Sequence, residues 1–230
     1  MVGSIAVSLV LIGIASGLYV SRRDSKASAA RNALFEASKV LNEEMKSLEN
    51  LEATQAMAQA TAKATSVPSK ETAKPAEAVA VKKLDVDKQL AKSAALFKVV
   101  DSNFGNTRAA FEARFELAEL YFNHGEFKKA LPWYEKALDS APNNFEKASI
   151  LSALGYTQEN LGDFKEAIRF FNKALDLGEG SLKGDLLLGI ARSYESLHDV
   201  ANARSTYDKI LSQLPGTEHA KSADLLKTQI

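Results

Sequence analysis

Residues 111–144 read FEARFELAELYFNHGEFKKALPWYEKALDSAPNN. Apolar residues fall three and four apart on either side of a break at His124-Gly125, the pattern of two amphipathic helices joined by a tight turn. The landmarks are Leu117-Ala118, Tyr121, Gly125, Phe127, Ala130, Tyr134, Ala137-Leu138 and Pro142. They return in residues 148–181 as Leu154-Gly155, Gly162, Phe164, Ala167, Phe171 and Ala174-Leu175. Residues 184–217 carry them again as Ile190-Ala191, Tyr194, Val200, Ala203, Tyr207, Ile210-Leu211 and Pro215. Ala130, Ala167 and Ala203 are 37 and 36 residues apart. A period of this size marks a stacked array of helix pairs, because neither helix of a pair can bury its apolar stripe alone.

The spacing has a physical reading. Small residues at Ala118, Gly155 and Ala191 let the first helix of each pair approach the second. Ala130, Ala167 and Ala203 do the same where neighbouring pairs stack, and Tyr134, Phe171 and Tyr207 fill the remaining space. Gly125 and Gly162 end first helices in turns that need positive φ, and the third copy has His198 there. Residues 88–104 read as the second helix of a degenerate half-repeat, with Leu96, Phe97, Val99 and Val100 inward, and residues 218–230 as a capping helix. The expected fold is all-α, with a right-handed α-solenoid of about three pairs over residues 87–230.

Upstream the chain changes character twice. Residues 2–20, VGSIAVSLVLIGIASGLYV, carry no charge, and as a helix they span roughly 28 Å, close to a bilayer core. Arg22, Arg23 and Lys26 follow. The stretch is expected to be a single-pass anchor, since no small-x-small cleavage site follows the apolar run directly. Residues 21–51 are expected to form a helical stalk, in which Leu34, Leu41 and Leu48 are seven apart and Ala37, Met45 and Leu51 fill the alternate seam. Two heptads permit a dimerising stalk through residues 25–51, or a helix lying on the membrane or folding back on the repeats. Residues 52–86, rich in Ala, Thr, Lys and Glu with two prolines, are expected to be a linker.

Composition narrows function. The chain of 230 residues balances 29 Lys and Arg against 29 Asp and Glu, which removes the bulk charge signature of nucleic-acid binding. It has no Cys, so thiolate metal sites and cysteine nucleophiles are excluded. His124 and His198 read as solvated turn residues, and Glu43-Glu44 as a solvated face. No phosphate loop, GxSxG or HExxH is present, so neither catalysis nor a cofactor or metal is expected.

The repeats resemble those of the tetratricopeptide superfamily. The layout, an N-terminal span, SRRDSKASAARNALFEAS, then pairs such as FELAELYFNHGEFKKALPWYEKAL and GDLLLGIARSYESLHDVANARSTYDKIL, is similar to the bacterial single-pass ancillary subunits of the Sec translocon. That resemblance implies a repeat domain on the outer face of the inner membrane, beside the translocon and periplasmic chaperones. The cations after the span argue instead for a cytoplasmic-facing domain. The chain departs from the family in its linker and in lacking an N-terminal tail before the span.

In this superfamily the first helices line a concave groove. By register the lining is Glu112, Phe115, Glu119, Phe122 and Asn123 in the first pair. In the second it is Ser149, Ser152, Tyr156, Glu159 and Asn160, and in the third Asp185, Leu188, Arg192, Glu195 and Ser196. The cations that clamp a carboxyl-terminal peptide in chaperone-binding members are missing. An acidic, aromatic lining with solvated carboxylates suits a polypeptide with apolar anchors and basic flanks. The expected role is a membrane-anchored protein-interaction scaffold, an adaptor or holdase-like factor near the translocon. The alternative is an envelope-assembly or division organiser that self-associates through residues 25–51.

Overall fold

The computed structural model describes residues 2–65, 85–178 and 180–230, with side chains described over 22–57, 85–178 and 180–230. Ten α-helices run in order among them: α1 (Val2–Thr65), α2 (Val86–Gln89), α3 (Ala91–Phe104), α4 (Arg108–Asn123) and α5 (Phe127–Ser140), then α6 (Asn144–Leu161), α7 (Phe164–Asp176), α8 (Lys183–Ser196), α9 (Val200–Gln213) and α10 (Glu218–Lys227). A short 3-10 turn at Gly180–Leu182 precedes α8. From α2 onward each helix packs on the next, while α1 packs on α3 and α4, and α6 and α10 also meet α8. The three expected pairs are therefore α4–α5, α6–α7 and α8–α9, with α10 closing the end.

Local chemistry sets the boundaries. Thr107, Asn143, Asp163, Asp199 and Thr217 each accept a hydrogen bond from a backbone N–H in the first turn of the helix that follows. Gly125 and Gly162 have φ of 70° and 82°, and His198 takes φ of 58° at the equivalent turn. The third turn thus holds a side chain where the other two hold hydrogen, at a cost of order 1 kcal/mol or more.

Packing turns on one aromatic per pair. Tyr134, Phe171 and Tyr207 are fully buried. Phe171 shows how tightly: a Cβ on Gly155 of α6 would lie 2.4 Å from its ring, and one on Gly189 of α8 2.8 Å. The ring is gripped from two sides by first helices of successive pairs. Gly189 was not among the landmarks, because its role belongs to the next pair's contact.

The main difference from the sequence reading lies at α1. The helix does not stop at 51 but continues to Thr65, through the first part of the expected linker. It packs against α3 and α4. Ala30 and Ala37 are fully buried, and Leu34, Leu41 and Leu48 pack against the same core. The leucine seam is thus spent inside the chain, while Met45 and Leu51 stay exposed. Of the arrangements open for this helix, folding back on the repeats is the one observed. In doing so α1 supplies the first helix that the half-repeat lacked. Phe97 of α3, also fully buried, lies 37 residues before Tyr134, in register with the other aromatics. The first pair is therefore α1–α3, and residues 66–84, outside the described residues, fall between its two helices in the sequence.

Glu44 locks this pair. Its carboxylate accepts from the backbone N–H of Lys92 and Ser93 at 3.2 and 3.1 Å and from the Ser93 hydroxyl at 2.7 Å. It caps α3 from another helix, which corrects the reading of Glu43-Glu44 as a solvated face. Nearby, α2 is held down by Asp87, which accepts from Tyr121 Oη and Lys129 Nζ, each at 2.7 Å. Lys129, then Tyr121 and Lys98, hold the Asp87 carboxyl down to about 2 against the opposing effect of burial.

The side chains of residues 2–20 lie outside the described residues, and so does the anchor assigned to them. Among the described residues no helix is long and apolar enough to cross a membrane.

Two outcomes are expected in thermal and acid unfolding. Gly155→Ala should gain about 1 kcal/mol of helix propensity but lose about 1–3 kcal/mol to overpacking against Phe171, so the melting temperature should fall. A rise would show that the ring moves aside. For Asp87 the folded value lies below the ordinary 3.8, so its contribution is present above that value and is lost as pH falls towards 2. Its partial exposure limits the effect to under about 1 kcal/mol. Asp87→Asn should remove that part of the acid limb and leave the neutral plateau slightly lower.

Candidate peptide-binding face

The groove positions lie on α4, α6 and α8 as the register requires, but most are already engaged. Phe115 and Phe122 are half-buried and meet the Tyr134 ring edge-on at 6.0 and 6.3 Å, and Phe122 also meets Phe127 at 5.3 Å. Tyr156 stands edge-on to Phe171 at 5.0 Å. Its hydroxyl donates to the Asp185 carbonyl at 3.4 Å, and burial pushes its ionisation up. Leu188 packs against the core of the last pair. Asn123 is exposed, and Asn160 donates back to the Tyr156 carbonyl of its own helix.

The carboxylates are not free solvated charges. Glu119 accepts from the Tyr134 hydroxyl at 2.6 Å, and Glu195 from the Tyr207 hydroxyl at 2.7 Å. Burial first, and these carboxylates second, push both phenols far up. Glu159 takes two bonds from Arg192, at 2.9 and 2.8 Å, and the guanidinium sits 5.7 Å over the Tyr156 ring. The expectation that these carboxylates are solvated is corrected: Glu119 and Glu195 each bind the second helix of their pair to the first, and Glu159 binds α6 to α8. At the α6–α8 end both Glu159 and Glu195 are therefore hydrogen-bonded within the fold.

The opening lies at the other end. Between α4 and α6 is a cavity of about 280 Å³ lined by Phe111, Phe115, Phe145 and Ile150, with Glu112, Glu116 and Glu146 around it. Arg108 is the cation there, and it is shared, bonding Glu112 at 2.6 Å and pairing with Glu146. The second Glu146 oxygen is buried without a hydrogen-bond partner. Burial pushes the Glu116 carboxyl up, against the hydrogen bond it accepts at 3.0 Å from Ser38 of α1. Phe145 is 52% exposed, beside this acidic rim. Sequence register found Glu112, Phe115 and Ser149 here. It missed Phe111, Glu116, Phe145, Glu146 and Ser38. Phe145-Glu146 precedes the repeat boundary, and α1 was not read as part of the array.

No catalytic arrangement emerges among the described residues. His124 ends α4 with its ionisation lowered by burial, His198 sits in its left-handed turn, and His219 of α10 meets Asp185 at 3.0 Å. Asp85, Asp87 and Glu126 have the spacing of a cation site. Lys129 bridges Asp87 and Glu126, and Val86 N–H donates to Glu126 at 2.7 Å, so the group is a structural staple.

Glu119→Ala should strand the Tyr134 hydroxyl and cost about 1–3 kcal/mol. Tyr134→Phe with Glu119→Ala should recover part of that loss in urea unfolding. An unchanged midpoint for the single variant would dissociate this bond from stability.

Comparison with known proteins agrees with the geometry. Tetratricopeptide-repeat family models match residues 107–179 and 152–218. No curated protein matches the chain in sequence. Among solved structures, a tetratricopeptide-repeat protein from Parabacteroides merdae is 21% identical, with 60% of this chain and 53% of that one covered and a TM-score of 0.50. MamA is 20% identical over 64% of this chain and 84% of its own, with a TM-score of 0.49. The N-terminal domain of stress-induced protein-1 from C. elegans is 20% identical over 51% of this chain and 94% of its own, with a TM-score of 0.44. Through residues 107–218, the chain belongs to the tetratricopeptide-repeat superfamily.

Proposed function

We propose that the chain is a membrane-tethered scaffold that captures polypeptide segments on the α4–α6 end of its inner-helix face. The observation that carries this reading is the acidic cavity itself. Three carboxylates and one guanidinium surround aromatic walls, Arg108 engages only Glu112 and Glu146, and one Glu146 oxygen is buried without a partner. A buried orphan acceptor is costly, and a cationic donor from a ligand relieves that cost. The fitting ligand is a segment with an apolar anchor for Phe111, Phe115 and Phe145 and a Lys or Arg beside it.

Tethering is supported by the uncharged run 2–20, which is continuous with the helix that enters the repeat core. The layout resemblance supports an adaptor or holdase-like role beside the Sec translocon, with the repeats outside the cytoplasm and exported polypeptides as clients. Self-association through residues 25–51 has less support, because the leucines it needs are packed on α3 and α4.

Binding is tested with full-length protein in detergent and labelled peptides that carry one aromatic flanked by lysines or by aspartates. Only the lysine set should bind, more weakly at high salt. Phe145→Ala should weaken it by about tenfold or more if Phe145 is an anchor. Equal affinity for both sets, or indifference to Phe145→Ala, would move recognition off this face. Anchoring is tested by alkaline carbonate washing, which should leave the chain in the membrane. Topology is tested by a reporter active only outside the cytoplasm, fused after Ile230, which should be active.

A further inference from the structure

Beyond the peptide-binding face, α1 carries three exposed cations directly after the apolar run: Arg22, Arg23 and Lys26. With Ala27 they form one wall of a cleft of about 730 Å³, and Asn106, Thr107 and Arg108 at the start of α4 form the other. None of Arg22, Arg23 and Lys26 pairs with a carboxylate among the described residues. The carboxylates nearby are Asp24, which follows Arg23 in the chain, and Glu112 and Glu146, both engaged by Arg108. The cleft therefore has an excess of positive charge without an internal partner, and it lies at the end of the run that would leave the bilayer.

We propose that this cleft holds the phosphate-bearing headgroup of an anionic membrane lipid. Guanidinium groups match phosphate oxygens in a two-pronged geometry. The first turn of α4 adds the positive end of a helix dipole on the opposite wall. A cation close to an anionic bilayer surface is worth about fivefold in partitioning, and the effect fades within a Debye length. Residues 22–26 meet that distance limit if residues 2–20 span the bilayer, so the proposal rests on the anchor reading. Its consequence is that the repeat array is held against the membrane at two points, the helix and the headgroup, with the start of α4 at the surface.

The test places the full-length chain in nanodiscs of phosphatidylcholine alone or mixed with phosphatidylglycerol. Backbone hydrogen exchange is followed at residues 104–110. Exchange there should be slower by more than about tenfold in the anionic discs, given about fivefold for each cation. Arg23→Gln with Lys26→Gln should abolish the difference, while far-ultraviolet circular dichroism and retention in the discs stay unchanged. A chain that leaves both kinds of disc on alkaline washing overturns the anchor reading. A chain that stays in both with equal exchange overturns the headgroup site alone. Equal protection by millimolar inorganic phosphate in neutral discs assigns the cleft to a free anion and overturns the lipid assignment.

Discussion

The fold depends on one contact made repeatedly: an aromatic ring from the second helix of each pair set against small residues on the first. Phe97, Tyr134, Phe171 and Tyr207 are all fully buried, 37, 37 and 36 residues apart. Such a ring fills a large share of the space between two helices. It can do so only if the facing helix comes close, which is why Gly155 and Gly189 flank Phe171 with no room for a Cβ. Two of the four rings also carry a hydroxyl bonded to a carboxylate on the first helix, Tyr134 to Glu119 and Tyr207 to Glu195. The same element thus supplies packing and a polar latch. Phe171 has no hydroxyl, and there the Glu159–Arg192 pair ties α6 to α8 instead.

This constraint explains the most unexpected feature, the role of α1. A lone α3 would expose Phe97 and Val100, both buried here. The array needs a first helix before α3, and residues 30–48 provide it with Ala30 and Ala37 as the small contacts and three leucines around them. Cross-helix capping by Glu44 then satisfies donors at the start of α3 that no preceding residue reaches. The interruption between these helices is long, yet loop closure costs rise only slowly with length, so the pair tolerates it.

The three regular pairs were legible in the sequence because their landmarks recur at a fixed spacing. Gly125, Gly162 and His198 all take the positive φ that the turn position demands. The α1–α3 pair was not legible, because its helices are not contiguous and the repeat period cannot be counted across residues 52–85. Leu34, Leu41 and Leu48 gave the right apolar face of α1, but a seven-residue spacing does not say whether the partner is a second chain or the same one. The groove register assigned residues that lie on α4, α6 and α8. It could not show that Glu119, Glu159 and Glu195 were spoken for, since their partners come from other helices in the fold.

That internal consumption of charge is the physical ground for where the proposed capture site is placed. A carboxylate already bonded to a buried phenol or to a guanidinium gains little from a ligand, since forming the new bond breaks an old one. By this criterion the α6–α8 carboxylates are committed, whereas at the α4–α6 end one Glu146 oxygen has no hydrogen-bond partner and Glu116 is held only by the Ser38 hydroxyl. Arg108 also lines the cleft beside Arg22, Arg23 and Lys26. One side chain therefore borders both an acidic cavity and a basic cleft.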